Sequence, residues 1–290
     1  MKLSVETFIL REMFSDEEAL RMIRKAGFDA YDYSFYWVND GTDMLGTDYR
    51  QRATALRQLG DSLDITCNQA HAPFEIAYGD DFDLTNRNYL RLVRCMEFAS
   101  ILGAKNIIVH AIKDDLPEEL DFFAYNHRFY ESLIPWCEKF GICVCVENLF
   151  NWHESAIPVL CEPAEHQSFV RQLNSPWLKI CVDVGHSAIT GYKPEDVLAA
   201  MDPQLLAALH IHDNNGVLDQ HLLPGEGILD WNAITRSLAT NGYSGDFTFE
   251  LTGYLRIKTP EQMAEAMLAA QEKGRKLINQ INAYRQDVCL

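Results

Sequence analysis

Eight strand-sized apolar runs, each followed by a stretch of helical periodicity, predict an α/β protein: one (β/α)8 TIM barrel with a parallel eight-stranded core. Two further observations narrow the choice. No composition break marks a second domain, so residues 1–290 read as a single barrel domain, a length such barrels often occupy as one unit. No glycine-rich dinucleotide fingerprint follows any strand, since Asp183-Val184-Gly185-His186 holds one glycine. A doubly wound oxidoreductase is therefore disfavoured.

The elements follow in order. Residues 3–8 are strand-like; Ser15 then caps a helix with Asp16, Glu17 and Glu18 in its first turn, and 19–26 carry apolar residues at helical spacing before Gly27. The second unit pairs an extended run at 28–33 with a helix over 47–59 closed by Gly60. The third pairs 63–69 with a helix over 84–102 closed by Gly103, and the fourth pairs the β-branched run 106–110 with a helix over 116–140 ending at Gly141. Residues 142–146 are a buried-type strand followed by a helix at 165–173. The last three units pair 178–182 with 194–201, 206–211 with 231–240, and 246–251 with 260–284; Pro194 sits in the first turn of its helix.

Composition bounds the function. Forty-eight per cent apolar and 23% charged residues are an ordinary globular mixture, and no run approaches the ~18 apolar residues of a membrane span. An acid at Glu6, where a signal peptide would continue its apolar core, points to a soluble, cytoplasmic chain. Cys67, Cys143, Cys145 and Cys181 lie inside strand-like runs and no CxxC pair exists, so the eight cysteines read as buried thiols rather than a disulfide framework or zinc knuckle. A net charge of −17 repels phosphate backbones, which makes nucleic acid an unlikely partner.

In such barrels chemistry sits at the C-terminal ends of the strands. Taken strand by strand, those ends carry Glu6, Asp32, His71, His110, Glu147, Asp183 with His186, His210 with His212, and Glu250; His221 lies in the loop after strand seven. Carboxylates and imidazoles converging on one mouth repel or desolvate one another unless a cation neutralises them. Mixed Asp/Glu/His donors suit Mn, Zn, Fe or Co better than Ca. Glu147, Asp183 and Glu250 each end an otherwise apolar strand, where a charge needs a partner. His210 and His212 are two apart on strand seven and share a face, so one suffices for a primary ion while the other is left for substrate or a second ion. Tyr31, Tyr33, Phe35, Tyr36 and Trp37 put aromatics near the mouth, and Trp152 and His153 follow Glu147.

These residues carry a resemblance. Val146-Glu147-Asn148, Asp183-Val184-Gly185-His186, His210-Ile211-His212-Asp213, Pro224-Gly225-Glu226-Gly227 with Asp230-Trp231, and Phe249-Glu250 occur in this order. The chain in this respect resembles the xylose-isomerase-like barrel superfamily, which includes sugar and sugar-phosphate isomerases and epimerases and the endonuclease IV type of apurinic endonuclease. The ketose 3-epimerase branch implies one divalent ion (Mn, Zn, Mg or Co) held by Glu147, Asp183, His210 and Glu250, with His212 the second choice on strand seven. Glu147 and Glu250 would then exchange the proton next to the substrate carbonyl through an enediolate, and His186 would hydrogen-bond a substrate oxygen. The partner so implied is a small carbohydrate, and homo-oligomers are common in the family.

Two departures from that branch stand out. Residues 213–223 lack its arginine, and its second glutamate six residues past the first is replaced by His153, with Glu154 one later. The endonuclease IV branch implies a three-zinc phosphodiesterase with His71, His110, Glu147, Asp183, His186, His210, Asp219, His221 and Glu250 as ligands. Against it, residues 39–43 and 78–83, which would be its DNA loops, are acidic. An inosose-dehydratase-like lyase and a non-catalytic sugar-binding module are further readings. No lysine cluster or glycine-rich loop near strands seven and eight marks a phosphate site, which favours an unphosphorylated sugar.

Overall fold

The computed structural model describes residues 1–36, 44, 46–74, 82–113, 121–151 and 158–288. Eight parallel strands form its core: β1 (Leu3–Glu6), β2 (Ala30–Ser34), β3 (Thr66–His71), β4 (Asn106–Val109), β5 (Cys143–Glu147), β6 (Leu178–Asp183), β7 (Leu206–His210) and β8 (Phe247–Phe249). Their order around the sheet is β7-β6-β5-β4-β3-β2-β1-β8. The ring closes just beyond β7, where Ile211 bridges Phe249 in parallel and the Glu250 amide donates to the Ile211 carbonyl at 3.1 Å. An α/β barrel is thus what the alternating pattern produces.

The helices α1 (Phe8–Met13), α2 (Asp16–Ala26), α3 (Tyr49–Leu63), α4 (Arg87–Leu102), α5 (Phe122–Phe140), α6 (Pro163–Gln172), α7 (Val184–Ile189), α8 (Pro194–Ala200), α9 (Trp231–Asn241), α10 (Thr252–Arg256) and α11 (Pro260–Val288) cover the strands. Ser15 caps α2 as the sequence suggests, and Glu18 bonds back to complete a reciprocal capping box. Gly27, Gly103 and Gly141 close α2, α4 and α5 in the left-handed conformation.

Gly60 does not close α3. The helix runs to Leu63 and ends on Asp64 at φ 55°, so β3 starts at Thr66, three residues later than its pattern suggests. Gly60 is instead a point of close approach: a Cβ there would lie 3.2 Å from the Ile65 carbonyl oxygen. Three short helices escape the periodicity. α1, α7 and α10 begin one to three residues after a strand end and have five or six residues each, too few for a helical repeat to register. The expected helix start at 116 and the tip residues Trp37, 39–43, 78–81, Trp152, His153 and Glu154 lie outside the described residues.

Candidate metal centre and active site

The parallel sheet brings the strand-end residues to one mouth of the barrel. Glu6 pairs with Asp32 between β1 and β2, Glu147 with Cys181 between β5 and β6, and Asp183 with His210 between β6 and β7. Glu147 and Asp183 end their strands and Glu250 follows β8 by one residue; all three are buried, as is His210. One donor atom from each of Glu147, Asp183, His210 and Glu250 lies within 4.8 Å of the other three. His210 Nδ1 is 2.6 Å from Glu147 Oε1 and 3.3 Å from Glu250 Oε2.

Two further donor groups flank this one. His71, His110 and Glu147 form the first, with His110 Nε2 2.8 Å from Glu147 Oε2 and 3.1 Å from His71 Nε2. The second unites His186, His212, Asp219 and His221. There, Asp219 Oδ2 accepts from His221 Nε2 at 2.8 Å and lies 3.6 Å from His186 Nε2, while His212 Nε2 is 3.1 Å from Asp183. His210 and His212 therefore part company. β7 ends at His210, which meets Glu147 and Glu250, whereas His212 belongs with Asp183 and Asp219.

The histidines are turned for ligation. A main-chain carbonyl only accepts, so a ring nitrogen bonded to one must carry the proton. His71 Nδ1 donates to Ala72 at 2.7 Å, His186 Nδ1 to Asn148 at 2.9 Å, His221 Nδ1 to Glu250 at 3.2 Å and His212 Nδ1, more weakly, to Asp213 at 3.4 Å. Each thereby turns Nε2 toward the carboxylates, the nitrogen that can bind an ion once it gives up its proton, as in imidazoles that bind metals. Asp219 Oδ1 is buried with no hydrogen-bond partner, a second sign that the pocket suits a cation.

Electrostatics follow from the crowding. Burial alone would raise the Glu147 carboxyl, but His210 and hydrogen bonds from His110, His210 and His71 hold it well below the usual range. Burial also opposes charge on His186, yet Asp183 and Asp219 push it up to about 10. His210 is raised well above its ordinary value against its burial, by Cys181, Glu147, Glu250 and Asp32. Glu6 goes the other way: burial and the neighbouring Glu250 raise it to about 8. Its Oε1 accepts from the Thr252 hydroxyl at 2.5 Å, and Oε2 has no partner.

A cavity of about 600 Å³ opens above these groups, within the range of small-molecule sites. His110, Glu147, His186, Asp219, His221 and Glu250 line its floor; Phe8, Tyr36, Phe74, Leu149 and Phe150 line its walls, and Lys113 is the lysine among the described lining residues. The Tyr36 hydroxyl donates to Glu250, and its ring stacks on Phe74 with centroids 4.2 Å apart. Of the aromatics expected near the mouth, Tyr36 reaches it, while Tyr31, Tyr33 and Phe35 do not. Side chains alternate along a strand, so 31, 33 and 35 face the helices; Tyr33 stacks on Phe98 of α4 and bonds Asp16. Residues 32, 34 and 36 point inward on the same logic. Phe8, Phe74, Phe150 and Thr252 also line the cavity, and no sequence motif marks them.

Asn148 and Gly185 hold the frame. The Asn148 amide donates to the Asp183 carbonyl at 2.9 Å and its oxygen accepts from the Asp183 amide at 2.8 Å, tying β5 to β6 below the site. A Cβ at Gly185 would lie 2.0 Å from the His212 ring, so the imidazole packs directly on backbone there.

Comparison with known proteins agrees with this architecture. The uncharacterised protein y4fM of Sinorhizobium fredii is 29% identical over 53% of the chain and 50% of its own length. The L-ribulose-5-phosphate 3-epimerase UlaE of Escherichia coli is 22% identical over 241 residues, 81% of each chain. Among solved structures, a D-tagatose 3-epimerase-like protein superposes with a TM-score of 0.76 at 21% identity, covering 98% of this chain and 99% of the other. The IOLI protein with a bound zinc atom gives 0.71 at 17% identity, covering 98% and 99%. The family model for xylose isomerase-like TIM barrels matches residues 20–273, and the chain belongs to that family.

Proposed function

We propose that the protein is a divalent-metal-dependent epimerase or isomerase of a small sugar. The observation that carries this reading is the convergence of Glu147, Asp183, His210 and Glu250 on one point, with Glu147 and Glu250 opening onto the cavity. Three carboxylates and one imidazole suit Mn, Zn, Mg or Co. The epimerase activity in the names of UlaE and the tagatose epimerase-like structure supports the sugar class. A bound divalent ion would polarise the substrate carbonyl and acidify the adjacent C–H.

The chain's own residues do the rest. Glu147 and Glu250 come from strands three apart around the barrel, so their carboxylates reach a ligand from different sides. One removes the proton next to the carbonyl and the other returns one, with an enediolate between the two transfers. Tyr36 holds the Glu250 carboxylate by its hydroxyl, and His186, anchored through Nδ1, turns Nε2 toward the cavity to bond a substrate oxygen. The aromatic walls exclude water and offer apolar faces to sugar C–H groups.

Solvent deuterium exchange tests this. Free and phosphorylated ketoses are incubated in D2O with Mn, Mg or Co, and the carbon-bound proton next to the carbonyl is followed by NMR. Exchange in at least one ketose is expected, falling about 10²–10⁴-fold in Glu147→Gln. No exchange in any of them would sink the proposal.

The two flanking donor groups support a second reading, a multi-metal phosphodiesterase of the endonuclease IV kind. It predicts three zinc ions per chain and cleavage of an abasic duplex. An intact duplex after incubation with zinc-loaded protein removes it.

A further inference from the structure

His210 differs from the other histidines at the mouth. Its Nδ1 faces Glu147 and Glu250, and its Nε2 is buried without a hydrogen-bond partner. The carboxylate facing that nitrogen is Asp32, with Oδ2 3.6 Å away. Asp32 is 1% exposed, and its Oδ1 also lacks a partner.

Asp32 stands at the end of a chain of donors crossing the barrel. Ser4 Oγ donates to Asn68 Oδ1 at 2.7 Å, Asn68 Nδ2 to Thr248 Oγ1 at 3.1 Å, Thr248 Oγ1 to Gln69 Oε1 at 3.1 Å, and Gln69 Nε2 to Asp32 Oδ2 at 2.8 Å. Every bond points the same way, toward a group that, ionised, only accepts. The fold thus aims one carboxylate at the mouth histidine whose second nitrogen is buried with no hydrogen-bond partner.

Metal-bound imidazoles donate their other N–H to a carboxylate or carbonyl, which sets the tautomer. The separation of 2.6 Å between His210 Nδ1 and Glu147 Oε1 is too short for two donors on one ion. Bonds of roughly 2.0–2.2 Å from a metal hold its ligand atoms about 3 Å or more apart. An ion between them therefore shifts the ring away from Glu147, and Asp32 is the acceptor on its other side.

We propose that Asp32 is the positioning residue of this centre: it receives the Nε2–H of His210 and so presents Nδ1 to the ion. The proposal rests on the metal reading above. Asp32 touches neither substrate nor ion; it acts through His210, and Gln69 in turn aims Asp32.

The test is chelator-competition titration of the apoprotein with Co(II), together with 15N NMR of the His210 imidazole in the zinc-loaded protein and thermal unfolding of the apoprotein. Asp32→Asn is expected to weaken Co(II) binding about 10–100-fold and to shift His210 away from the Nε2–H tautomer. Apoprotein that still unfolds cooperatively near the wild-type temperature separates this from a merely structural role. Unchanged affinity and tautomer would overturn the role of Asp32. Should Asp32→Asn not fold, Gln69→Leu, which keeps the carboxylate but removes its donor, decides: affinity within twofold of wild type overturns the proposal and a larger loss supports it. Wild-type protein that binds no Co(II) overturns the metal reading and this inference with it.

Discussion

Burial imposes its own pH dependence on single residues. His166 on α6 is wholly buried, donating from Nε2 to the Val146 carbonyl at 3.1 Å with Nδ1 unpartnered. Burial lowers it from 6.5 to about 4. As pH falls through 6.5 the unfolded chain takes up a proton that the native state refuses until about 4. The stability present above pH 6.5 is therefore lost across that window, by about 3 kcal/mol in all. Urea unfolding between pH 7 and 4 should show the decline, and His166→Gln, which keeps a donor for Val146, should flatten that part of it. A slope unchanged in the variant would contradict this origin.

At the scale of elements, the segment between β7 and α9 is held by one buried carboxylate. Asp213 accepts from the amides of Asn214 at 2.9 Å, Gly225 at 2.7 Å and Leu229 at 3.2 Å, and from Trp231 Nε1 at 2.8 Å. This segment carries Asp219 and His221 to the cavity floor. Gly227 lets it fold so tightly, since a Cβ there would lie 2.3 Å from Asp213 Oδ1 and 2.2 Å from the Asn214 oxygen. Asp213→Ala strands several donors at once and should cost about 3 kcal/mol or more. It should also speed amide hydrogen exchange over residues 214–229 relative to the rest of the barrel. Exchange confined to its wild-type rate would show that the segment is held by something else.

For the whole molecule, the acidic excess and the barrel mouth are linked. The net charge of −17 includes Glu147, Asp183, Asp219 and Glu250, which the fold brings together at the barrel mouth. A divalent ion bound there favours the folded state, since the unfolded chain does not bring these groups together. At 100 times its dissociation constant the ion should add about 2.7 kcal/mol, a rise in Tm of roughly 4–5 °C for a chain of this size. Because His186 and His221 hold protons against their burial, uptake at their group should also release protons and weaken as pH falls. Calorimetric titration in two buffers of different ionisation enthalpy measures that release. Among the described residues no helix is long and apolar enough to cross a membrane.

Much of this was legible without coordinates. Apolar runs separated by helical stretches determine the barrel, because a parallel strand buried on both faces must be apolar and its crossover must be long. An ionisable residue ending such a run is equally legible, which is why Glu147, Asp183 and Glu250 stand out in the sequence. Partnership is different. Only the tertiary structure decides that His210 meets Glu147 while His212 meets Asp183, that Tyr36 turns inward while Tyr33 turns out, and that Gly60 is a contact rather than a stop. Local pattern depends on neighbours within a few residues. A site depends on distances between strands far apart in the chain, and those exist only once the sheet has closed.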